Sequence, residues 1–128
     1  MPNGIVQRTM CELEGHGPLP VTLSYLDNAP YEMTMRFADE ALWVFGRELL
    51  IEALETGSSG SGDVKFRTDG DKVEMRLYAP GFSATVYFTH TVLAGFTEQM
   101  LSYVPLGEEA SFLDIDGTIN RILKKTKN

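Results

Sequence analysis

Leu42-Trp43-Val44-Phe45-Gly46-Arg47-Glu48-Leu49-Leu50 is the stretch on which the fold turns. Up to Phe45 the residues form a short apolar run of the kind a buried strand carries. From Gly46 to Glu55 the period changes to that of a helix. Leu49, Leu50, Ala53 and Leu54 share one face, and Arg47, Glu48, Glu52 and Glu55 fall mostly on the other. Gly57 is placed to end it.

Working back toward the N-terminus, the spacing is that of strands. Val6 to Glu14 reads as a first strand with Val6, Met10 and also Cys11 and Leu13 as inward candidates. His16-Gly17-Pro18-Leu19-Pro20 breaks it. Val21, Leu23 and Tyr25 alternate with Thr22 and Ser24, and Tyr31, Met33, Met35 and Phe37 alternate with Glu32, Thr34 and Arg36. Asp27-Asn28-Ala29-Pro30 between them is turn chemistry, so the pair is a hairpin. A second turn at Asp39-Glu40 leads into the Leu42–Phe45 run.

Toward the C-terminus the plan repeats. Gly57-Ser58-Ser59-Gly60-Ser61-Gly62 reads as a flexible surface loop. Strands follow at 64–67, at 73–79 and at 82–88, joined by Asp69-Gly70-Asp71 and Pro80-Gly81. Val92, Leu93, Phe96, Met100 and Tyr103 mark a second helix from about Thr91 to Val104, stopped by Pro105-Leu106-Gly107. Asp116 is a good N-cap for a last helix, with Ile119, Ile122 and Leu123 as its stripe. Strands clustered in runs with short turns predict antiparallel sheet in an α+β domain, here a single domain over residues 1–128.

Composition narrows the function. The 128 residues hold 11 Lys and Arg against 18 Asp and Glu, a net charge of −7. General nucleic-acid binders neutralise phosphates with cations, so this balance argues against one. One cysteine, Cys11, builds neither an internal disulfide nor a Cys-rich zinc site. No apolar run approaches membrane-spanning length and the first residues do not read as a signal peptide, so a cytoplasmic address is expected.

Catalytic signals are sparse. His16 and His90 are the only histidines and make no HxH or HExxH pairing. Cys11 sits in an alternating strand with no neighbouring cation to make it a thiolate. Neither GxGxxG, GxxxxGK[ST] nor GxSxG occurs. The expectation is no enzyme, no cofactor and no metal. The strand aromatics share the parity of Val, Met and Leu, which points to core. A single-stranded nucleic-acid binder remains the alternative, and it requires Arg36, Lys65, Arg67 and Arg76 to converge on one face.

Two charge features call for partners. Arg47 stands in the first turn of a helix, where a cation opposes the dipole, so a carboxylate or a neighbouring subunit is expected to meet it. Arg121, Lys124, Lys125 and Lys127 crowd into the last eight residues. They either complement the dipole of a terminal helix or meet a partner's acids. Arg47, Glu48, Arg121, Lys124 and Lys125 are the candidate protein-contact residues.

At Ala29-Pro30-Tyr31 and Leu42-Trp43-Val44-Phe45-Gly46-Arg47-Glu48-Leu49-Leu50 the chain resembles the SsgA-like proteins of sporulation and cell division in actinobacteria. Colinear pieces extend the resemblance over nearly the whole chain. They are Met10-Cys11-Glu12-Leu13, Gly60-Ser61-Gly62-Asp63-Val64, Val104-Pro105-Leu106-Gly107-Glu108 and Leu113-Asp114-Ile115-Asp116 with Ile119, Ile122 and Leu123. The chain departs from the family pattern at Ala29, at Gly46 and in the proline-free Gly/Ser loop.

The resemblance implies a non-enzymatic regulator working by protein–protein contact. Its partner would be the tubulin-like division protein FtsZ or another SsgA-like protein, met at division septa. It also implies a homo-oligomer, a trimer by family analogy. The implied fold is whirly-like, with two antiparallel sheet-plus-helix halves and a C-terminal helix.

Overall fold

Each period-two run becomes a strand. In the computed structural model, which describes residues 3–113, β1 (Gly4–Leu13), β2 (Gly17–Leu26), β3 (Glu32–Phe37) and β4 (Ala41–Gly46) form a meander and α1 (Arg47–Thr56) follows. The order then recurs with β5 (Ser58–Ser61), β6 (Val64–Asp69), β7 (Lys72–Ala79), β8 (Phe82–Thr89) and α2 (His90–Tyr103). A 3-10 turn at Glu109–Phe112 comes last. The helix expected from Asp116 lies outside the described residues.

All eight strands belong to one antiparallel sheet, in the order β4-β3-β2-β1-β8-β7-β6-β5. The α+β expectation is met, and the two sheet-plus-helix halves are parts of a single curled sheet. Their seam is narrow. β1 pairs with β2 along all ten of its residues, but with β8 only at Glu12 opposite Tyr87 and Leu13 opposite Val86. The Glu14 N–H adds a bond to the Thr85 carbonyl at 2.9 Å.

Both helices pack against the sheet, α1 on β3 to β6 and α2 on β1, β7 and β8. The core between them takes Leu23, Tyr25, Met33, Met35 and Phe45 from the first half. The second half contributes Phe66, Met75, Val86 and Phe88, and the helices Leu50, Ala53, Leu93, Phe96 and Met100. Phe45 and Phe66 meet with ring centroids 5.5 Å apart, a tilted contact between the two halves.

Two expectations are corrected. The Gly57–Gly62 segment is not a free loop, because Ser58–Ser61 pairs with Val64–Arg67 as the edge strand β5. In β1 the inward side chains are Ile5, Cys11 and Leu13, whereas Val6 and Met10 point to solvent. Apolar residues occupy both parities of that strand, and packing against α2 selects the odd set.

Candidate functional site

Gly46 is extended, with φ −64° and ψ 130°, and hands the chain from β4 to α1. The Arg47 N–H donates to the Tyr31 carbonyl at 2.9 Å, and its side chain turns inward. The residue is fully buried. One guanidinium nitrogen donates to the Val104 carbonyl at 2.8 Å, and another donates to a Glu109 carboxylate oxygen at 3.0 Å. The same group lies over the Tyr25 ring, 5.4 Å from its centroid. Among the described residues, Nε has no partner.

The carboxylate expected to answer the cation at the helix start is thus Glu109 of the same chain. Arg47, named as a candidate protein-contact residue, is buried within this chain and offers nothing to solvent. Its work is positioning: it fastens the Val104–Glu109 segment to the start of α1. The electrostatics agree. The Glu109 N–H, followed by Arg47, holds the Glu109 carboxyl below its ordinary range. Burial pushes the Tyr25 phenol up, partly opposed by Arg47, and its hydroxyl donates to the Pro30 carbonyl at 3.0 Å.

Glu48, the next residue, is exposed. With Glu52, Glu55, Ile51 and Leu106 it lines an acidic groove of about 340 Å³. Arg121, Lys124 and Lys125 lie outside the described residues. Of the five candidate contact residues, only Glu48 is seen on the surface.

The basic residues that a nucleic-acid reading needs converge only in part. Lys65 stands across from Arg76 on β6 and β7, and Arg67 across from Glu74. Glu74 is buried between the strands and accepts from Arg67 at 3.1 Å and Arg76 at 2.8 Å. Lys65 lies over the Tyr78 ring at 5.5 Å. Arg36 is in the other half of the sheet, across from Thr22 and Leu42. Three cations share a face, and one carboxylate already engages two of them.

The most exposed apolar strand residues of the first half were not foreseen as functional. Val6, Met10, Leu42 and Val44 all stand on the outer face, 68%, 55%, 49% and 49% exposed. Cross-strand pairs carry that face from Val6 through Ser24 and Thr34 to Val44. A signal for Leu42 and Val44 was present. The run Leu42-Trp43-Val44-Phe45 is apolar at both parities, so one set must face away from the core of a one-sided sheet.

Cys11 is buried, its Sγ donates to the Leu19 carbonyl at 3.5 Å, and burial pushes its thiol up to about 11. That environment keeps the thiol protonated and unreactive. Among the described residues, no group of three or more His, Cys, Asp or Glu side chains is placed to hold a metal ion. No described helix is long and apolar enough to cross a membrane.

Residues 19–109 match the family model for the Streptomyces sporulation and cell division protein SsgA. The sporulation-specific cell division protein SsgB of Salinispora tropica is 32% identical over 116 residues, covering 83% of this chain and 80% of that protein. SsgB of Kineococcus radiotolerans is 30% identical over 115 residues, 83% of this chain and 69% of its own length.

Solved structures agree. The SsgA-like sporulation-specific cell division protein of Thermobifida fusca superimposes with a TM-score of 0.80 at 27% identity, covering 94% of this chain and 96% of that one. A structure reported with SsgB mutations that correlate to longitudinal division during sporulation of Streptomyces coelicolor gives 0.78 at 28% identity, covering 88% and 98%. The curled eight-stranded sheet, the two helices and the sequence match together place this chain in the SsgA family of sporulation and cell division proteins.

Proposed function

We propose that this chain is a non-enzymatic regulator of division during sporulation that acts by protein–protein contact and gathers FtsZ at septum sites in the cytoplasm. It does so as a homo-oligomer, a trimer by family analogy, with the whirly-like arrangement of two sheet-plus-helix halves. The supporting observation is the outer face of the first half. Val6, Met10, Leu42 and Val44 present apolar side chains to solvent on the outer face of the curled sheet, with Ser24 and Thr34 between Val6 and Val44, a surface of mixed polarity of the kind protein contacts use.

Light scattering after gel filtration, first alone and then with FtsZ purified from the source organism, tests both parts. The expected result is one oligomer that carries FtsZ with it, and a Val6→Asp/Val44→Asp variant that stays folded but loses one of the two associations. A folded monomer that leaves FtsZ in its own peak would overturn the reading.

One observation favours a second reading. Lys65, Arg67 and Arg76 share a face with Tyr78, the combination of cation and ring that single-stranded nucleic acid uses. Against it stand the Glu74 carboxylate between the two arginines and the net charge of −7. Binding of a single-stranded oligonucleotide that weakens steeply with salt would move the weight here.

A further inference from the structure

Three hairpin turns gather at one end of the curled sheet: the turn after β1, the turn between β3 and β4, and the turn between β7 and β8. They ring a cavity of about 400 Å³. It lies at the start of β4 and of β8, so each strand reaches it at the end away from the helix that follows. Its apolar walls include Phe37, Trp43, Leu77 and Phe82, and Phe82 is 53% exposed at the mouth. Among the described residues, the charged ones lining it are Glu14 and Glu40. The Tyr87 hydroxyl donates to one Glu14 carboxylate oxygen at 3.1 Å.

Those features specify an occupant. The volume falls within the range of ~300–1,000 Å³ typical of ligand pockets. The walls suit a large apolar side chain. Two carboxylates, with no cation among the described lining residues, suit a positive charge beside it. We propose that this end of the sheet is a docking pocket for a segment of a partner protein that inserts one large apolar side chain and carries a lysine or arginine next to it. The proposal rests on the reading that the chain works by protein contact, and it names the chemistry of that contact.

Trp43 is the only tryptophan in the chain and lines the pocket, so its fluorescence reports occupancy directly. The full chain is titrated with the peptide Ser-Lys-Leu-Phe-Lys-Ser, with a version carrying Glu in place of Lys, and with one carrying Gly in place of Leu-Phe. The expected result is a saturable shift of Trp43 emission with the first peptide, binding at least about tenfold weaker with the second, and none with the third. Glu14→Gln with Glu40→Gln should erase the preference for Lys over Glu, with circular dichroism showing that the variant is folded. Ala84→Phe, which fills the cavity, should abolish binding, with circular dichroism showing that the variant is folded.

No saturable change with any peptide overturns the proposal, as does equal binding of the Lys and Glu versions. Saturation by decanoate alone would make it a small-molecule pocket instead. A shift produced by protein concentration alone would make it a contact between copies. A chain that carries FtsZ in gel filtration but ignores the peptides refutes the pocket and spares the division role. The converse result refutes the division role and spares the pocket.

Discussion

The guanidinium of Arg47 and the carboxylate of Glu109 meet at 3.0 Å across 62 positions of the chain. One end of the pair is the first residue of α1 and the other is the first residue of the last described turn. The contact therefore fixes where the chain goes after α2. A bond to the Val104 carbonyl and the face of Tyr25 complete the surroundings of the cation, which suits a group removed wholly from water.

Removing the cation leaves a carboxylate and a carbonyl without their partner inside the protein. Arg47→Ala should cost ~3–5 kcal/mol of stability, read as a lower urea midpoint with an unchanged slope. Arg47→Lys should recover only part of it, because a single ammonium cannot reproduce the planar fork that serves Val104 and Glu109 together. An Arg47→Ala chain of wild-type stability, oligomer size and partner binding would remove the anchor from the account.

Acid should release the same contact. The folded-state Glu109 carboxyl is held below its ordinary value of 4.5, first by its own N–H and next by Arg47. Its stabilising contribution is complete above that unfolded value and is lost as pH falls through the lower folded one. The melting temperature of the wild-type chain should therefore drop below about pH 4.5, and the part of the drop due to Glu109 should be missing in Glu109→Gln. Parallel melting profiles of the two proteins from pH 7 to pH 3 would contradict this.

Most strands were legible because their side chains alternate, and α1 because its period changes at Gly46. β5 was not legible. Ser58-Ser59-Gly60-Ser61 has no apolar side chain, and only the free backbone edge of β6 makes it a strand. Gly60 belongs to that pairing, since a Cβ there would sit 2.8 Å from the Lys65 side chain. Gly57 reaches φ 100° at the end of α1, and the Thr68 N–H bonds its carbonyl at 2.9 Å. Neither contact has a local signature.

The candidate site divides in the same way. A cation at a helix start demanded a carboxylate, and that much followed from the helix dipole. That the carboxylate is Glu109 depends on the tertiary fold, as does the burial that removes Arg47 from the surface. The cavity behind Trp43 is built from strand ends and turns of both halves, so no single stretch of sequence announces it.

Between β3 and β4 the backbone takes two left-handed residues in succession, Ala38 at φ 53° and Asp39 at φ 60°. The turn closes through the Glu40 N–H and the Phe37 carbonyl at 3.0 Å. Alanine is unfavourable there, where asparagine or glycine fits. Ala38→Asn should raise stability by ~0.5–1 kcal/mol, a gain of a few degrees in melting temperature. No gain, or a loss, would mean that the turn is not strained at this position.

The buried thiol of Cys11 gives a test of the core itself. Burial pushes it from an ordinary value near 9 up to about 11, and the residue is 4% exposed. At pH 8 the folded chain should react with a thiol reagent such as DTNB at least ~100-fold more slowly than the chain in guanidinium, because reaction waits on opening of the structure. Alkaline pH then acts through the difference between the states. Between about 9 and about 11 the folded chain keeps the proton that the unfolded chain loses, so stability falls as pH rises through that window. Cys11→Ala removes the group, and its stability should decline less over the same range. Rapid labelling of the native chain at pH 8 would show that Cys11 is open to solvent and that β1 does not pack as described.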